Sequence, residues 1–196
     1  MLNKKWFVTS YLVLAMGLTA CGSDKNVEEK PAVPPVEETT DTNSPAKPNK
    51  DNLGKYNEIK LTATEAYNTF LEKKPGSKVE KIELDYDNNV YYYKVEGSDD
   101  KNYHEIKIDA VTGEIVKDKK ENKDDQDAEI SLDYVKKVDE FVKKALDDSG
   151  EGFISMEWDL EMENGRPELE IEIDRENGEV EYTYDLETGK LLDKDL

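Results

Sequence analysis

One cysteine, one histidine and only two arginines (Arg166 and Arg175) occur in 196 residues. A single cysteine excludes an internal disulfide and a thiolate metal cluster, so stability must come from packing. A single histidine, His104, leaves no His-Glu-x-x-His pair. There is also no Gly-x-Ser-x-Gly elbow and no phosphate loop. Basic side chains are few and scattered, 27 Lys and Arg against 47 Asp and Glu, for a net charge of −20. A phosphate backbone repels such a surface, and nucleic acid is excluded as a partner. Long apolar runs are missing too. The one extended stretch, Trp6 to Ala20, is shorter than the ~20 residues of a comfortable membrane-spanning helix. The expectation is a protein without catalytic residues, cofactor or metal, and not an enzyme.

That stretch has a definite layout. Lys4 and Lys5 precede it, and Leu18-Thr19-Ala20-Cys21 closes it. A cationic start, an apolar segment of ~7–15 residues and small residues at a cleavage site make a secretory signal. Ending on cysteine, it resembles the lipobox of bacterial lipoproteins. The resemblance implies that residues 1–20 are removed and that Cys21 becomes a diacylated first residue. Two acyl chains are what stable anchoring needs. The implied address is the extracytoplasmic face of the cell membrane, in a Gram-positive envelope. Cleavage removes the two charges of Lys4 and Lys5 and takes the net from −20 to −22.

Residues 21–55 hold five of the seven prolines among Glu, Asp, Thr, Asn and Ser. Such a segment buries too little apolar surface to offset its ordering entropy, and reads as a disordered tether. Fully extended, it reaches roughly 110 Å.

Beyond the tether the chain repeats at an offset of 76 residues. Asp109-Ala-Val-Thr-Gly-Glu-Ile-Val116 falls on Asp185-Leu-Glu-Thr-Gly-Lys-Leu-Leu192. Ile82, Leu84 and Val95 fall on Trp158, Leu160 and Ile171. An even offset keeps strand faces in phase, because strand side chains alternate with period two. Each copy opens with a helical pattern. In the first, Thr62 and Glu65 have capping-box spacing, Ala63, Ala66, Tyr67, Phe70 and Leu71 line one face, and Pro75-Gly76 stops it. In the second, Leu132, Val135, Val138, Phe141, Val142, Ala145 and Leu146 form the stripe, and Ser149-Gly150 stops it. Alternating strands follow, with turns at Asp87-Asn88-Asn89, Asn164-Gly165 and Asn177-Gly178. The fold class is α+β: two modules, 56–118 and 129–196, each a helix on a three-stranded antiparallel sheet with one wet face. A polar stretch, 119–128, joins them.

The order helix, Pro-Gly turn, hairpin, Tyr91-Tyr92-Tyr93-Lys94-Val95, then Ile108-Asp109-Ala110-Val111-Thr112-Gly113-Glu114-Ile115 resembles the PepSY domain. The second copy departs more, lacking Pro-Gly and the Tyr-rich strand but keeping Asp185-Leu186-Glu187-Thr188-Gly189. The resemblance implies a tandem PepSY lipoprotein that acts without catalysis, binding or restraining an exported peptidase or another envelope protein. The alternative is capture of divalent cations or a cationic peptide by the acidic surface.

Few residues stand out as sites. Asp109, Thr112 and Gly113, with Asp185, Thr188 and Gly189, read as turn formers: Asp accepts from the turn N–H groups and Gly takes the left-handed position. Tyr92 points away from the core side of its strand and is the candidate partner contact, since tyrosine is favoured at interfaces. His104 reads as an exposed strand residue. Asp85, Asp87, Asn89 and Glu96 have calcium-loop spacing, but Val90 stands where the sharp turn needs Gly, so a hairpin is expected there.

Overall fold

Period-two alternation builds every central strand of this protein, and the strands join in one sheet. The computed structural model describes residues 53–122 and 127–196. The expected signal, Cys21 and nearly all of the expected tether lie outside the described residues.

Helix α1 spans Ala63–Lys73. Thr62 Oγ1 accepts from the Glu65 amide at 3.2 Å and the Glu65 carboxylate accepts from the Thr62 amide at 2.8 Å, closing the capping box. Backbone donation from Thr62 holds the Glu65 carboxyl below its ordinary value. The helix buries Ala63, Ala66, Tyr67 and Phe70 and stops before Pro75, with Gly76 at φ 85°. In the second half the apolar stripe is carried by two helices, α2 (Leu132–Val135) and α3 (Val138–Ser149). Gly150, at φ 89°, ends α3.

The strands are β1 (Lys78–Asp87), β2 (Val90–Ser98), β3 (Asn102–Asp109), β4 (Ile115–Asn122), β5 (Phe153–Glu163), β6 (Arg166–Arg175), β7 (Gly178–Asp185) and β8 (Lys190–Asp195). Their order is β4-β3-β2-β1-β5-β6-β7-β8. Every pairing is antiparallel. Two-residue turns at Asn88-Asn89 (φ 52° and 64°) and Asn164-Gly165 (φ 51° and 79°) close the first hairpin of each half.

Each half therefore has four strands, where three were expected. The missing strands, β4 and β8, lie at the sheet's two ends and are exposed along almost their whole length. An edge strand with little to bury carries no apolar alternation, and Lys119-Lys120-Glu121-Asn122 reads as a linker. Residues 119–122, expected in the joining stretch, continue β4.

The halves meet through β1 and β5, with Ile82 opposite Leu160, Glu83 opposite Asp159 and Leu84 opposite Trp158. Glu83 and Asp159 are repeat equivalents, 76 residues apart, so each faces its own counterpart across a pseudo-twofold axis. The described helices cover the same side, and one core runs through both halves. Cross-contacts bind it: Met156 donates its amide to Tyr91 Oη at 3.2 Å, and Tyr93 meets Trp158 edge-on at 6.0 Å. The segments leading into the helices cross over. Tyr56 packs on both Tyr91 and Phe153, and the Ile130 amide donates to the Val79 carbonyl at 2.8 Å.

Candidate interaction surface

The side of the sheet away from the helices carries the outward residues of all eight strands. In the first half, lysines alternate with carboxylates. Lys94 binds Glu83 and Glu96, each at 2.6 Å, Lys117 binds Glu105 at 2.7 Å, and Lys107 lies 3.6 Å from Asp85. At the axis, Lys81 reaches Glu83 at 3.1 Å, Asp159 at 3.3 Å and Glu161 at 3.5 Å.

The second half has the same strand layout and opposite chemistry. Shifting by 76 residues takes Lys81 to Glu157, Lys94 to Glu170, Lys107 to Thr183, Lys117 to Asp193 and Lys119 to Asp195. The acids stay acidic: Glu83, Asp85, Glu96 and Glu105 become Asp159, Glu161, Glu172 and Glu181. Partial burial and the neighbouring carboxylates push Glu170 and Glu172 up to about 7. Burial likewise pushes Asp159 to about 6 despite Lys81. Carboxylate oxygens of Glu172, Asp174 and Glu179 lie within 4.8 Å of one another.

Tyr92 lies on this face between Asp85 and Asp109, half-buried, with Lys107 Nζ 4.5 Å from its ring centre. The turn residues lie where β3 and β7 end, Asp109 directly opposite Tyr92. Asp109 accepts from the Val111 and Thr112 amides, both at 2.8 Å, and Asp185 from Glu187 and Thr188 at 2.8 and 3.0 Å. Burial alone would raise Asp109, but these donors outweigh it and hold it below its ordinary value; donation from Thr188 lowers Asp185. Gly113 and Gly189 stand at φ 75° and 72°. The Ala110 carbonyl then anchors the approach to α1, accepting from the Lys60 and Leu61 amides at 3.0 Å. Asp109→Ala or Asp185→Ala removes the acceptor for two turn amides, and each is expected to cost about 1–2 kcal/mol. Urea denaturation of each variant checks it.

His104 is buried, not exposed. It shares parity with Ile106 and Ile108, so it lies on the core side. Its Nε2 is 3.0 Å from Asp99, which also holds the Lys101 and Asn102 amides, and its Nδ1 takes no partner among the described residues. The Ser98 hydroxyl donates to Glu80 instead. Ser98, Asp99 and His104 therefore do not form a nucleophile–base relay. Asp85 and Glu96 stand on neighbouring strands, Asp87 ends β1 and Asn89 lies in the hairpin turn, so the calcium-type spacing folds into no loop.

Sequence reading missed the charge division between the halves. Its signal was present in the offset of 76, applied to the polar positions as well as the apolar ones.

A single helix-backed antiparallel sheet built from two equivalent halves, with one face left open by the described helices, defines an α+β scaffold. The chain belongs to the PepSY family, described as the peptidase propeptide and YPEB domain, which matches residues 60–119 and 142–195. It is therefore a tandem PepSY protein. Among solved structures it is similar to a Clostridium difficile 630 protein described as a lipoprotein, with 26% identity and a TM-score of 0.57 over 70% of this chain and 93% of that one. No curated protein matches the chain. No helix among the described residues is long and apolar enough to cross a membrane.

Proposed function

We propose that this protein is an extracytoplasmic lipoprotein, held by a diacylated Cys21, that binds and restrains an exported peptidase without catalysis of its own. The observation that carries this reading is the open sheet face, eight strands wide and uncovered by any described helix, on a PepSY scaffold. Tyr92 is the contact residue of choice on that face. The lipobox and the lipoprotein description of the Clostridium difficile relative support the address.

Two measurements test it. Palmitate labelling of intact cells should mark the protein, and Cys21→Ser should abolish the label and release the chain. A photo-crosslinker at position 92 should trap an exported peptidase, and deletion should raise secreted proteolysis. Unchanged proteolysis together with no peptidase adduct would sink the reading.

Glu172, Asp174 and Glu179 favour a second reading, capture of a divalent cation. Calorimetry with calcium, manganese and zinc decides it: heats no stronger than millimolar binding remove it.

A further inference from the structure

We propose that this protein self-associates head to tail, β8 of one copy pairing with β4 of the next. Three observations converge on these two strands.

The first is direction. Seven consecutive antiparallel pairings separate β4 from β8, so the two edges run in opposite senses. A copy translated along the sheet therefore presents its β4 antiparallel to β8, with its helices on the same side. The second is apolar exposure. Five large apolar side chains are exposed among the described residues. Val116 is on β4, Leu191 and Leu192 are on β8, and Leu196 directly follows it; only Ile154 lies elsewhere.

The third is charge. Lys117 and Lys119 project on the open face at one edge, and Asp193 and Asp195 project on the same face at the other. Residues directly opposite in an antiparallel pair share a face. One register sets Asp195 against Lys117 and Asp193 against Lys119, and on the helix side Lys194 against Asp118. Two β8 strands brought together would instead oppose aspartate to aspartate. The extra residues that bulge the edges, Val116 and Leu192, sit near the strand starts and leave these charged positions regular. The contact joins two different surfaces and does not close on itself, so it propagates as an open chain of copies. It is independent of peptidase binding, which uses the face and not the edges.

Sedimentation velocity on the unlipidated mature chain, up to the ~1 mM effective concentration that tethering provides, should show a concentration-dependent series of dimers, trimers and longer species. Lys117→Glu/Lys119→Glu and Asp193→Lys/Asp195→Lys should each stay monomeric alone. Mixed in equal amounts, they should associate again, because each then supplies the edge the other needs; recovery on mixing also shows that both are folded. A monomer at every concentration overturns the proposal. So does association untouched by the β8 reversal, which would mark a closed β4–β4 dimer, or a mixture that stays monomeric.

Discussion

Gly97→Ala is expected to destabilise the fold by about 3 kcal/mol or more, at the severe end for a single added methyl. Gly97 lies in β2 opposite Val79 and His104. Glu80 is the extra residue of a bulge in β1, between the Val79 and Lys81 pairings. The bulge brings the Lys78 carbonyl against Gly97, so an added Cβ would overlap that carbonyl and stand 3.0 Å from Phe70 Cζ. The obstructing group is backbone and cannot rotate away as a side chain can. Phe70 is itself fully buried at the base of α1, so it has no room to retreat. Gly113 provides the contrast. A Cβ there meets nothing within 4 Å, and only its φ of 75° penalises alanine, by about 1 kcal/mol. Thermal denaturation of both variants should rank Gly97→Ala far below Gly113→Ala; equal melting temperatures would refute the bulge account.

The second large effect is with pH. Glu170 and Glu172 titrate at about 7 in the folded protein and Asp159 at about 6. Unfolded, they return to ~4. Between those limits the native state holds protons that the unfolded chain does not, so stability falls as pH rises through this window and grows on acidification. Glu170 is more than a third exposed and solvent screening shrinks its share; Glu172 and Asp159 carry most of the effect. A shift from pH 7.5 to pH 5 should add about 1–3 kcal/mol, raising the melting temperature by roughly 5 °C. Asp109 and Asp185 have the opposite sign, since their depressed carboxyls lose stabilisation only when pH falls below ~4. Glu170→Gln/Glu172→Gln should raise the melting temperature at pH 7.5 and flatten the profile. A wild-type curve that falls between pH 7.5 and 5 would contradict the like-charge account.

The elements legible in sequence were those with something to bury. The helix stripe Ala63, Ala66, Tyr67 and Phe70 and the alternation of β1–β3 and β5–β7 stand in the residues, as do the Asn-rich turns. β4 and β8 were not legible, because an edge strand that buries almost nothing leaves no periodic mark. His104 was misplaced although strand parity with Ile106 assigns it to the core. The β1–β5 junction was beyond reach for another reason: alternation says which side of a strand is buried, never which strand lies beside it. On the face, single acids among 47 were indistinguishable until the repeat was used as an internal comparison.

The axis between Glu83 and Asp159 has a further consequence. Two identical chains meeting there would be bound by symmetry, and any residue added to neutralise the facing acids would appear twice. Joining the halves covalently lifts that constraint. Position 81 is lysine, and one ammonium serves both axial acids, while its counterpart Glu157 accepts the Tyr86 amide at 2.6 Å. Duplication within one chain thus permits a division of labour at the centre of the sheet that no homodimer of a single module could adopt.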